Sequence, residues 1–81
     1  MNREQISAEF GEILSSLLPG CGPVFGADQH LQRDLGLDST QFVQLVVACE
    51  QRFDLQVSDA EILRLRTVGD CIAYLCRQRG V

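Results

Sequence analysis

Apolar residues recur at helical spacing over most of this chain. Between residues 3 and 18, Ile6, Phe10, Ile13, Leu14 and Leu17 form one stripe, the signature of an amphipathic helix with a single buried face. Asn2, with Gln5 three residues on, is a capping pair at its start, and Pro19-Gly20 is a stop signal at its end. A second stripe, Phe42, Leu45, Val46, Cys49 and Phe53, predicts a helix over 39–53, with Asp38 as N-cap and Gln41 at the capping-box position. Ser58-Asp59-Ala60-Glu61 reads as the capping box of a short third helix, about 59–64. Thr67-Val68-Gly69-Asp70 opens a fourth, about 68–79, with Val68, Cys71, Ile72, Leu75 and Cys76 on its apolar side and Gly80 at its end. No stretch shows the two-residue alternation of a useful strand.

Residues 19–37 hold no helical period, and Gly20, Gly22, Pro23, Gly26 and Gly36 mark them as a loop. A loop of this length is tolerable when it packs its own apolar residues, and Val24, Phe25, Leu31, Leu35 and Leu37 are available to fold back. The expected architecture is therefore all-α: a four-helix bundle in one domain spanning residues 1–81, with a long loop after the first helix and a short third helix.

Charge narrows the function. The net charge is −4, and all seven basic residues are arginine. An acidic chain lacks the basic footprint that neutralises phosphates, so a nucleic-acid partner is not expected, nor is an anionic membrane surface. Residues 28–61 carry seven acids against Arg33 and Arg52, whereas residues 62–81 carry four arginines against Asp70. The acidic middle is where an electrostatic partner site belongs. The N-terminus has no signal-peptide pattern, and the longest apolar run is Leu45–Cys49, so a cytoplasmic protein is expected.

Catalytic and metal chemistry find no constellation. Cys21, Cys49, Cys71 and Cys76 form no close ligand pair, and His30 has no second histidine. Reduced, mostly buried thiols are expected. No nucleophile has a base with an orienting group beside it, and no phosphate-binding glycine loop is present, so neither a catalytic nor a metal site is assigned.

The informative segment is Asp34-Leu35-Gly36-Leu37-Asp38-Ser39-Thr40. It sets Ser39 in the first turn of the second helix, where backbone N–H groups lack partners and the dipole is positive. An anion attached to Ser39 would be well tolerated there. Gly36 permits a tight turn that leaves the serine approachable. Read blandly, Asp38 and Ser39 only start a helix. Ser39, Val43 and Val47 fall on one ridge at i, i+4 and i+8, outside the densest part of the core face. The two valines are either a docking strip or flank residues half covered by the long loop.

Asp34-Leu35-Gly36-Leu37-Asp38-Ser39 resembles the D-L-G-x-D-S box of the acyl carrier protein family. The order of elements, Phe53-Asp54 closing the second helix and Thr67-Val68-Gly69-Asp70 opening the fourth are also similar to that family, over about residues 3–79. The resemblance implies a non-catalytic carrier. Ser39 would bear a 4′-phosphopantetheine arm, placed there from coenzyme A by a separate phosphopantetheinyl transferase, and the arm's thiol would carry acyl groups as thioesters. Asp38 would contact the transferase or its metal while capping the helix, with Gly36 completing the box. Thr40, Val43 and Val47 would face the partner enzymes.

The chain also departs from the family pattern. Carriers for fatty acid synthesis usually have leucine after the modified serine and several acids along the second helix. Here that residue is Thr40, and between Ser39 and Phe53 the charged residues are Glu50 and Arg52, which cancel. A carrier for polyketide or other specialised metabolism is expected, served by an acyltransferase, a ketosynthase or other pathway enzymes. With its own Met1 and no linker-like segment, it is expected to be free-standing (type II) and monomeric. The alternatives are a fatty acid carrier, an aminoacyl or peptidyl carrier, which shares the box, and an unmodified helical interaction module.

Overall fold

The structure, a computed structural model, describes residues 2–18 and 26–81. The stop signal at Pro19-Gly20, Cys21, and the in-folding expected of Val24 and Phe25 lie outside the described residues. Four helices follow in order: α1 (Arg3–Leu17), α2 (Ser39–Phe53), α3 (Asp59–Ile62) and α4 (Val68–Arg79). The described residues form no strand pair beyond one isolated bridge between His30 and Thr67.

Local chemistry accounts for the helix ends. Asn2, Asp38 and Thr67 each cap their helix through a reciprocal box with Gln5, Gln41 and Asp70, which satisfies two otherwise orphaned donors per helix. α2 ends on Asp54 at φ 52 and α4 on Gly80 at φ 76, both in the left-handed conformation that terminates helices.

α3 is shorter than expected. It closes after Ile62, because Arg64 N–H donates to Glu61 O at 2.9 Å and Leu65 N–H to Ile62 O at 3.2 Å. These tighter i→i−3 turns turn the chain and bring Leu65 against the core. Ser58 accepts from Glu61 N–H at 3.3 Å, but the Glu61 carboxylate does not return to the Ser58 backbone, so the expected box is half made. α1 likewise stops at Leu17, with Leu18 as its cap.

α1 packs against both α2 and α4. Ile6, Phe10 and Leu14 meet Leu45 and Phe53 of α2 and Val68 and Leu75 of α4 in one buried cluster. Leu31 and Leu37 join it from the loop, as the sequence suggested. Tyr74, which the periodicity reading left out, is buried too, with its hydroxyl donating to Gln56 O at 3.4 Å. Phe42, expected in the core, is only half-buried and packs at its margin.

The loop before α2 is better ordered than its glycines suggested. Leu31 N–H donates to Arg66 O at 2.8 Å, Val68 N–H to Gln29 O at 3.0 Å and Gly69 N–H to Ala27 O at 2.9 Å. These bonds strap the loop to the start of α4. Gly69 eases this crossing: a Cβ there would meet Ala27 O at 3.0 Å and Ala27 Cβ at 3.2 Å, tight contacts that would press the loop outward.

Candidate functional site

Two buried leucines hold the Gly36–Ser39 corner in place. Leu37 N–H donates to Leu31 O at 3.1 Å, and both side chains are in the core. Between them the chain turns through Gly36 at φ 77, with open space where a Cβ would project. Glycine is needed there for its backbone, since the left-handed region costs other residues roughly 1–2 kcal/mol.

Asp38 is extended at φ −86, ψ 178 and caps α2, its Oδ1 accepting Gln41 N–H at 2.7 Å. Gln41 Oε1 accepts Asp38 N–H at 3.1 Å, while Gln41 Nε2 donates to Leu17 O at 3.1 Å. One side chain thus closes the box and ties the first turn of α2 to the end of α1. Ser39 follows as the first helical residue, with an exposed side chain. Its hydroxyl stands at the positive end of a 15-residue helix, a setting that favours a phosphate.

The structure places Val43 and Val47 on the same side of α2 as Ser39, 59% and 43% exposed, with Thr40 exposed beside them. The long loop does not cover them within the described residues. Their neighbours across an open cleft of about 220 Å³ are Val57 and Ile62, on the α3 side. Leu63, just after α3, is 75% exposed, an exposure its place in the sequence does not announce.

The two charges on α2 are engaged within the molecule. Glu50 accepts Val57 N–H at 2.9 Å. Arg52 pairs with Glu9 at 3.3 Å and Glu12 at 3.4 Å. Under the first turns of α2 lies a cavity of about 20 Å³, lined by residues that include Phe42, Val46, Cys49, Leu65 and Cys71. It is wholly apolar and no larger than one water, so it stays dry.

Cys49, Cys71 and Cys76 are free and buried. Burial pushes the Cys49 thiol up to about 12, with Arg52 opposing and Glu50 adding to the rise. Burial pushes Cys71 up further, with smaller contributions from Cys49 and Asp70. Thiols held protonated in this way are poor nucleophiles and poor metal ligands. Among the described residues no group of three His, Cys, Asp or Glu side chains is placed to hold a metal ion.

Known proteins place this fold in one class. The family model described as a phosphopantetheine attachment site matches residues 4–75. An acyl carrier protein of Prochlorococcus marinus is 35% identical over 77 residues, covering 95% of this chain and 81% of the relative. A candidate acyl carrier protein from Anaplasma phagocytophilum superposes with a TM-score of 0.85 at 31% identity, covering 96% of this chain and 92% of that one. A candidate acyl carrier protein from Mycobacterium tuberculosis gives a TM-score of 0.83 at 27% identity, covering 90% and 97%.

The chain belongs to the acyl carrier protein family and has its all-α fold. It is a non-catalytic carrier whose cofactor is a covalently attached 4′-phosphopantetheine. Its partners are those of the family at large: a phosphopantetheinyl transferase and the enzymes of a pathway. Among the described residues, no helix is long and apolar enough to cross a membrane.

Proposed function

We propose that Ser39 bears the phosphopantetheine arm and that the carrier serves a polyketide or other specialised-metabolite pathway. The observation that supports the attachment is the exposed Ser39 hydroxyl at the first position of α2, behind an unobstructed left-handed Gly36. The phosphodiester would sit against the unpaired N–H groups of that first turn. Asp38 holds the turn rigid and presents a carboxylate to the transferase or its metal.

The pathway reading rests on α2. Thr40 follows the serine, and Glu50 and Arg52 are both consumed by internal contacts. Docking through this helix therefore depends on Thr40, Val43 and Val47 more than on charge pairing. An acyltransferase, a ketosynthase or other pathway enzymes would meet this face. We take the protein to be a single carrier domain, monomeric and cytoplasmic.

The test of the attachment is peptide mapping after transfer from coenzyme A, which should place the added mass on the peptide that contains Ser39. The test of the pathway is reconstitution with ketosynthases of both kinds. Elongation on this carrier by a fatty acid ketosynthase, at the rate that enzyme shows with its own carrier, would refute the specialised assignment.

A further inference from the structure

A second cleft shares Phe42 with the first but is not lined by the ridge valines. Its volume is about 330 Å³. Leu31, Phe42, Leu63 and Leu65 form its apolar part, and His30, Gln32 and Arg66 supply its polar part. Phe42 stands one turn along α2 from Ser39, so the cleft begins about 4.5 Å further along the helix axis by the usual rise.

The polar groups of this cleft are arranged as donors. His30 Nδ1 accepts Gln32 N–H at 3.3 Å and Arg33 N–H at 3.1 Å. With Nδ1 accepting, the ring proton is on Nε2, and that nitrogen is a donor. Arg66 makes no ion pair among the described residues. The nearby carboxylates are turned to the backbone: Asp34 accepts His30 N–H at 2.7 Å, and Asp70 accepts Arg66 N–H at 3.3 Å and Thr67 N–H at 3.1 Å. The cleft is therefore lined by a guanidinium without an ion pair among the described residues and by an imidazole N–H, together with apolar side chains. A plain hydrocarbon would satisfy neither donor. The interior cavity of about 20 Å³ offers no preformed alternative for a longer chain.

We propose that this cleft is a subsite for the far end of the cargo and that it takes acyl units ending in a carboxylate. Arg66 pairs with the carboxylate, and His30 Nε2–H and the Gln32 amide hydrogen-bond its oxygens or the thioester carbonyl. The acyl stem lies on Phe42, Leu63 and Leu65. This rests on the arm being attached at Ser39.

The experiment loads the holo protein with a malonyl or an acetyl group, verifies each by intact mass, and compares amide spectra. Absence of the arm's mass would count against the Ser39 attachment and would be seen before any cargo was added. With both forms loaded, we expect amide shifts at residues 30–33 and 63–66 for malonyl and not for acetyl. We also expect the ¹³C-labelled malonyl carboxylate to titrate about one unit lower than in malonyl-pantetheine free in solution. In Arg66→Gln, an exposed position, both effects should vanish. Equal shifts for the two cargoes, an unshifted carboxylate titration, or effects that persist in Arg66→Gln would overturn the subsite. Should Arg66→Gln fail to fold, the comparison of the two cargoes on the parent protein decides by itself.

Discussion

At the scale of single residues, each position in the Gly36–Gln41 corner has its own physical task. Gly36 supplies a positive φ in open space, so Gly36→Ala should cost about 1 kcal/mol in conformational strain without a clash. Urea unfolding would check this, and Gly36→Asn should recover part of the loss. Asp38→Ala removes the cap and leaves Gln41 N–H unpaired, at about 0.5–2 kcal/mol. It should also slow arm transfer, measured as the initial rate with coenzyme A. A mutant with unchanged melting and unchanged transfer would contradict both roles. The box, Ser39 and the capping pair were legible in the sequence because capping chemistry is local. The tie from Gln41 to Leu17 and the exposed Leu63 were not, since they depend on where α1 ends and how α3 turns.

At the scale of elements, the amphipathic stripes of α1, α2 and α4 were plain from spacing alone, because those helices bury a single face. α3 was over-read. Four residues are too few for periodicity to speak, and the turn that ends it brings Leu65, half-buried, against the core. The described part of the loop before α2, from residue 26, is more regular than its glycines predict, for the complementary reason. Its order comes from backbone bonds to Arg66, Val68 and Gly69, more than thirty residues away, and such bonds leave no local pattern. For α2 the prediction concerns its two faces. Phe53→Ala, at a fully buried position, should destabilise by about 3–5 kcal/mol in denaturant titration. Val47→Glu should leave melting nearly unchanged yet reduce turnover by pathway enzymes presented with the loaded carrier. Unfolding of Val47→Glu would instead make Val47 a core residue and remove the docking ridge.

At the scale of the whole molecule, the carrier is a closed bundle with an inert interior and its chemistry at one exposed corner. The inertness has a pH signature. Burial holds Cys49 protonated up to about 12, against an ordinary 9.0. Between those values the unfolded chain binds fewer protons than the native one, so stability must fall as pH rises through this window. Below pH 9 this contribution is fully present. Thermal melts at pH 8 and pH 10.5 should show the decline. Alkylation at pH 8 should leave Cys49 and Cys71 unmodified until denaturant is added.

The central claim is that this carrier is loaded at Ser39. The most direct measurement is intact mass after incubation with coenzyme A, magnesium and a broad-specificity phosphopantetheinyl transferase, with Ser39→Ala alongside. The parent should gain one phosphopantetheinyl group and Ser39→Ala none, while the helical signal of the mutant stays intact because Asp38 still caps α2. A gain in Ser39→Ala, or no gain in folded parent protein with any competent transferase, would contradict the account.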